Sequence, residues 1–179
     1  CMAFIFSYSI IQLNLVINYK KSKKASKITL PTLNEFPHVT VQLPVYNELY
    51  VIERLIDKVC EFNYPKDKLE IQVLDDSTDE TVDIIRKKVA FYKELGYDID
   101  HIQRKERVGY KAGALKYGTG ICKGEFIAIF DSDFVPDREF LQQTIPHFND
   151  KKIGVVQSKW GFTNTNYSFL TQLQSFGLD

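Results

Sequence analysis

The stretch EIQVLDDSTDETVDIIRKKVAFYKEL, residues 70–95, passes from a short aliphatic run through adjacent acidic residues into a helical pattern. EIQVL at 70–74 has the length and composition of a buried strand. Ser77 and Glu80 make an S-x-x-E capping box, and 81–95 is the helix that the box would start. The box accounts for the helix start by local hydrogen bonding but leaves Asp75 and Asp76 without a purpose. At a strand terminus such carboxylates accept from a ribose hydroxyl or a base N–H. The alternative is ordinary turn chemistry.

The same unit recurs on both sides of this stretch. HVTVQLPV at 38–45 predicts a strand and 49–61 a helix. Downstream come a strand at 98–104 (DIDHIQR), a helix over 111–118, a strand at 125–131 (EFIAIFD), a helix over 139–148 and a strand at 153–160 (IGVVQSKW). Strands alternating with helices at this spacing predict an α/β domain, a Rossmann-like and mostly parallel sheet with helices on both faces. Ligands in such sheets gather where strands end. The first strand here ends in Tyr46-Asn47-Glu48, the second in Asp75-Asp76-Ser77, the third runs into Arg107-Val108-Gly109-Tyr110-Lys111, and the fourth ends in Asp131-Ser132-Asp133.

In an extended segment, residues i and i+2 point to one side. Asp131 and Asp133 would then face one point, with Ser132 turned away. Two carboxylates suit Mg²⁺ or Mn²⁺, which take further ligands from water and a substrate's phosphates. Helix capping is the bland alternative. In GYKAGALK, Gly109 and Gly113 permit close backbone approach to an anion, and Lys111 offers it a point charge, with Arg104, Lys105 and Arg107 just upstream. A run of basic residues before a helix is also what a solvated face looks like, and neither GxxxxGK[ST] nor GxGxxG occurs. Tyr46 has the ring to stack on a base, and Trp160 either packs or lines a sugar site. His38, His101 and His147 show no ligand spacing.

The N-terminal residues 1–19, CMAFIFSYSIIQLNLVINY, lack charge almost entirely, and KKSKK follows at 20–24. About 28 Å of helix with a basic collar predicts the end of a transmembrane helix, with the rest of the chain cytoplasmic. Ser7, Ser9, Gln12, Asn14 and Asn18 dilute it and leave a buried or amphipathic helix as the alternative. Residues 25–37, with Pro31 and Pro37, read as a linker. Cys1, Cys60 and Cys122 match no metal or disulfide framework and fit reduced thiols. With 44% hydrophobic and 26% charged residues over 179 positions, the chain has the composition of one globular domain. Lys plus Arg equals Asp plus Glu at 23 each, which argues against a nucleic-acid partner. A start at Cys1 and an end in an apolar, helix-like stretch give the expectation of a piece of something longer.

Taken in order, PVYNE, QVLDDSTDET, GYKAGALKYG, FIAIFDSDF and VVQSKWGFTN resemble the family 2 glycosyltransferases of the GT-A fold, in the cellulose synthase-like branch that includes glucomannan mannosyltransferases. The resemblance runs from about His38 onward, and makes 38–179 the donor half of such a domain. It implies a membrane-bound, inverting enzyme that takes sugar from a nucleoside diphosphate sugar, of UDP-glucose or GDP-mannose type, to a growing β-polysaccharide or a lipid such as ceramide or diacylglycerol. It also implies that Val45, Tyr46, Glu48, Asp75 and Asp76 meet the nucleotide, Lys111 its diphosphate, and Asp131 and Asp133 the nucleotide-sugar and its divalent cation, with Asp133 the foremost metal ligand. The acceptor-activating base and a Q-x-x-R-W helix are expected beyond Asp179. QSKW at 157–160 is not that helix, since it falls on a predicted strand.

Two readings from other classes stand beside this one. FDSDFV fits the D-x-D-x-[TV] pattern of haloacid dehalogenase-like phosphohydrolases, with Asp131 as nucleophile, although their motif ends the first strand and this one ends the fourth. The other is a tethered nucleotide-binding module without catalysis.

Overall fold

The computed structural model describes residues 2–25, 33, 35–158, 161, 167–168 and 171, in a chain that divides into two units, Cys1–Pro31 and Thr32–Asp179. The first unit holds α1 (Met2–Ala25). In the second, β1 (Val39–Val45), α2 (Ile52–Cys60), β2 (Leu69–Asp75), α3 (Thr81–Glu94), β3 (Asp98–Gln103), α4 (Tyr110–Thr119) and β4 (Phe126–Ile129) alternate along the chain. All four strands are parallel, in the order β3-β2-β1-β4. The first two crossovers build the sheet outward from β1, and α4 then carries the chain back to its other side. The strand order therefore reverses at β1, which is where such sheets hold ligands.

Period 2 decides which residues make the core. Val39, Val41, Leu43, Ile71 and Val73 are all at or below 1% exposure and face Ile52, Leu55, Ile56 and Val59 from α2 and Ile85 and Val89 from α3. Phe62, Phe130 and Phe140 extend this core as an aromatic cluster, with Phe130 and Phe140 edge to face at 4.8 Å.

The opposite face is polar and yet buried. Thr40 lies opposite Glu70 and Gln42 opposite Gln72 in the β1–β2 register. Thr40 Oγ1 donates to Glu70 Oε2 at 2.5 Å, and Gln42 Nε2 to Gln72 Oε1 at 3.0 Å. Glu70 Oε2 also accepts the Lys123 amide at 2.8 Å, and Thr40 Oγ1 accepts that of Gly124 at 2.8 Å. Gln42 Oε1 is buried and has no hydrogen-bond partner among the described residues. This layer fits under α4 because α4 brings Ala114 and Gly118 to it. A Cβ on Gly118 would lie 2.7 Å from Gln42 Nε2 and 2.8 Å from Gln72 Oε1.

Several expectations need correction. The α3 start is not a capping box: Thr81 N donates to Asp79 Oδ1 at 3.0 Å, while Ser77 Oγ is engaged with the Asn47 amide. Residues 153–158 form no strand, and Lys159 and Trp160 lie outside the described residues. The helix expected over 139–148 is α5 (Phe140–Thr144) followed by a 3-10 turn at Ile145–Asn149, where Pro146 lacks the amide that would continue it. Residues at the end of the stretch read as a linker, 25–37, contact the second unit. Leu33 and Phe36 pack on the core, and Tyr64 Oη donates to Pro37 O at 2.6 Å.

The N-terminal span is a helix, but among the described residues no helix is long and apolar enough to cross a membrane. Three of its polar residues bond within the helix, Ser9 Oγ to Ile5 O at 2.9 Å and Asn18 Nδ2 to Asn14 Oδ1 at 2.6 Å. The polar residues are spread so evenly that α1 has no distinct apolar side.

The close fit over the polar layer gives a measurable consequence. Gly118→Ala should destabilise the domain by about 1–3 kcal/mol through overpacking against the glutamine pair. Chemical denaturation reads this as a lower midpoint at unchanged slope, whereas Gly154→Ala, with open space around it, should change the midpoint little.

Candidate nucleotide-binding site

The parallel register brings the ends of β1, β2 and β4 to one edge of the sheet, and a cavity of about 370 Å³ opens there. Val45, Tyr46 and Glu48 line it from the end of β1, Asp76 from just after β2, Arg107 from the approach to α4, Lys111 from the first turn of α4, and Asp131, Ser132 and Asp133 from the turn after β4. Seven of the eight residues named from sequence therefore border one cavity. The eighth, Asp75, does not line the cavity.

Asp75 is buried. Its Oδ2 lies 2.7 Å from His101 Nε2, and its Oδ1 accepts the Ser77 amide at 2.8 Å. Burial by itself would push this carboxyl up, but the hydrogen bonds from His101 and Ser77 together outweigh burial and hold it below the usual carboxylate range. Both oxygens are committed to protein partners, so Asp75 shapes the site and Asp76 faces it. Ser77 in turn accepts the Asn47 amide at 2.9 Å, and Asn47 Oδ1 accepts that of Thr78 at 2.9 Å. Asn47 has φ +56°, a conformation asparagine tolerates better than most residues, and this turn presents Tyr46 and Glu48 to the cavity.

Asp76 is clamped by Arg104, whose Nε and Nη2 both donate to it. Arg104 also donates through Nη1 to Val108 O at 2.9 Å and through Nη2 to Tyr110 O at 3.1 Å. Its bond to Asp76 raises the Arg104 pKa further. One guanidinium thus ties the end of β2 to the loop that starts α4. Two consecutive left-handed residues, Gly109 at φ +74° and Tyr110 at +48°, turn that loop into the helix. Gly113 completes the fit, since a Cβ there would lie 2.0 Å from Val108 O.

On the other wall, residues 131–134 do not form the extended segment that would send Asp131 and Asp133 to one side. They form a turn closed by Phe134 N to Asp131 O at 3.0 Å, with Ser132 buried and also lining the cavity. Asp131 and Asp133 still border one cavity, and Lys111 Nζ pairs with Asp131 Oδ1. Among the described residues no three His, Cys, Asp or Glu side chains group around one point. Among the described residues, the turn after β4 offers the cavity two carboxylates, Asp131 and Asp133. That donor set fits a hard divalent cation which completes its shell from water and phosphate, and does not fit zinc or another caged metal.

Sequence reading passed over His101, whose partner is 26 positions away, and gave Arg104 and Arg107 no specific role. The signal for Arg104 was present: β3 pairs beside β2, so its exit faces Asp75-Asp76. Cys60 has no part in the site. It is buried, and its thiol is pushed up to about 12 mainly by that burial.

A parallel sheet whose strand order reverses at β1, with a cavity lined by both acidic and basic side chains at that reversal, is the architecture of a doubly wound α/β domain. Residues 40–176 match the profile described as "Glycosyl transferase family 2", and the chain belongs to that family. It is 34% identical to glucomannan 4-beta-mannosyltransferase 1 of Cyamopsis tetragonoloba over 99% of this chain and 36% of the relative. It is also 42% identical to the probable glucomannan 4-beta-mannosyltransferase 7 of Oryza sativa subsp. japonica, over 81% of this chain and 26% of that protein. The chain therefore spans about a quarter to a third of these curated relatives. Among solved structures, the mannosyltransferase PcManGT from Pyrobaculum calidifontis, in complex with GDP-Man and Mn²⁺, superposes with a TM-score of 0.67 at 30% identity. That match covers 80% of this chain and 43% of the other. TarS of S. aureus superposes with a TM-score of 0.59 at 25% identity, covering 71% and 22%.

The buried Asp75 makes stability depend on pH. Because its folded pKa is depressed, its contribution is fully present above the unfolded carboxyl value, about 4, and disappears as pH falls through the lower folded value. Asp75→Asn should lower stability at pH 7, and the gap to wild type should shrink below about pH 4, as denaturant midpoints measured from about pH 7 to pH 2 would record.

Proposed function

We propose that the domain binds a nucleoside diphosphate hexose, with GDP-mannose the preferred donor, and transfers the sugar to a glycan acceptor in the synthesis of a β-linked polysaccharide. The observation that carries this reading is the meeting of Asp76, Lys111, Asp131 and Asp133 at one cavity, in a chain of this family. GDP-mannose is favoured over UDP-glucose because the curated relatives are named as mannosyltransferases and PcManGT is described with GDP-Man. Nothing of comparable weight supports the phosphohydrolase alternative.

Each residue's part is set by its position. Tyr46 and Glu48, held by the Asn47 turn, form the shelf for base and ribose, and Asp76, fixed by Arg104, accepts from a hydroxyl or N–H of the nucleoside. Lys111 moves its charge from Asp131 to the diphosphate. Asp131 and Asp133 would hold a divalent cation, Mg²⁺ or Mn²⁺, which when bound neutralises charge on the departing diphosphate. These are donor-side roles, in a transfer that inverts the anomeric carbon.

Membrane attachment with a cytoplasmic catalytic domain belongs to the same reading. It rests on the uncharged residues 1–19 and the lysines that come after them. Release of the protein into the soluble fraction by alkaline carbonate would argue against integral attachment.

Activity tests the donor assignment. In the full-length protein, Asp133→Ala and Lys111→Met should each lower mannosyl transfer from GDP-mannose by about 10²-fold or more, the scale seen when charge stabilisation of a transition state is removed. Radiolabelled transfer with GDP-mannose and UDP-glucose in parallel measures this. Equal turnover in wild type and Asp133→Ala would dismiss the metal role of Asp133.

A further inference from the structure

We propose that Arg107 is a donor-binding residue whose guanidinium takes the phosphates of the nucleoside diphosphate. This rests on the donor reading above and adds a contact to it. Of the basic residues gathered at 104–111, Arg104 is committed: its side chain is 11% exposed and its donors go to Asp76 and two backbone carbonyls. Lys111 is paired with Asp131. Arg107 differs from both. It lines the cavity, its side chain is 35% exposed, and the nearest acid, Asp76, lies 3.9 Å from its Nε with both oxygens already accepting from Arg104. Among the described residues its guanidinium stacks and forms that loose ion pair but makes no hydrogen bond.

The stacking fixes what the group can do. The guanidinium carbon sits 3.2 Å from the centroid of the Tyr46 ring and 5.0 Å from that of Tyr110. A guanidinium whose carbon is held this close over a ring still has N–H donors at its edge, a fork that matches two oxygens of a phosphate. The loop beneath is already set by the Arg104 bonds to Val108 O and Tyr110 O and by Tyr110 N to Arg107 O at 3.2 Å. The side chain therefore loses little freedom when it binds. An ammonium in its place keeps the charge but loses the fork.

Calorimetric titration of GDP and of guanosine, with Mn²⁺ present, into the full-length wild type, Arg107→Ala and Arg107→Lys tests this. Loss of the contact should weaken GDP by about tenfold or more in Arg107→Ala, with guanosine affinity and melting temperature unchanged, and Arg107→Lys should recover only a small part of the loss. Equal weakening of GDP and guanosine would make Arg107 a prop for Tyr46 alone and overturn the inference, as would unchanged GDP affinity in Arg107→Ala. A wild type that binds GDP with no preference over guanosine would refute the donor reading itself, and this inference with it.

Discussion

Parallel pairing of β1 with β2 on one side and with β4 on the other is the constraint that creates the site. Parallel strands all finish at the same edge, and the reversal of order at β1 opens a crevice between the loop leaving β2 and the turn leaving β4. Acidic residues far apart in sequence, Asp76 and Asp131, border one cavity for that reason. The loops then need only fix side chains over a foundation that is already aligned. Arg104 does this between β2 and the α4 loop, and Asn47 does it between the β1 and β2 loops.

The α4 side of the sheet carries an unusual burden. Most parallel sheets bury aliphatic residues on both faces, whereas this one buries Thr40, Gln42, Glu70 and Gln72 in cross-strand pairs. Such a layer is favourable only while its hydrogen bonds are met, and it tolerates little displacement. The helix above it is the one whose first turn carries Lys111. The position of a charge in the cavity is thereby tied to the fit of a glycine, Gly118, at the other end of that helix.

Strands and helices were legible where periodicity was strong. β1, β2 and α3 lie within a residue or two of their sequence assignments, and the polar strand ends come together at one cavity. The features that were not legible depended on partners remote in sequence. Thr40 and Gln42 alternate with Val39, Val41 and Leu43 along β1, but alternation alone cannot show that the polar set is also buried, because that depends on a helix far along the chain. Asp75 and Asp76 looked equivalent, and a single step in strand pleat sends one to His101 beneath the sheet end and the other to the cavity. The turn at 131–134 likewise contradicts the extended geometry argued for Asp131 and Asp133, although the two carboxylates still reach the same cavity. The strand expected at 153–160 had aliphatic composition in its favour, but 153–158 does not pair into the sheet.

The central claim is that this strand-end cavity is where metal and nucleotide assemble together. Anomalous diffraction from crystals of the full-length protein grown with Mn²⁺ and GDP tests it most directly. The account predicts a manganese peak within coordination distance of the Asp131 or Asp133 carboxylates, with the GDP diphosphate as a shared ligand and the base against Tyr46. Manganese or nucleotide bound away from this cavity would contradict it.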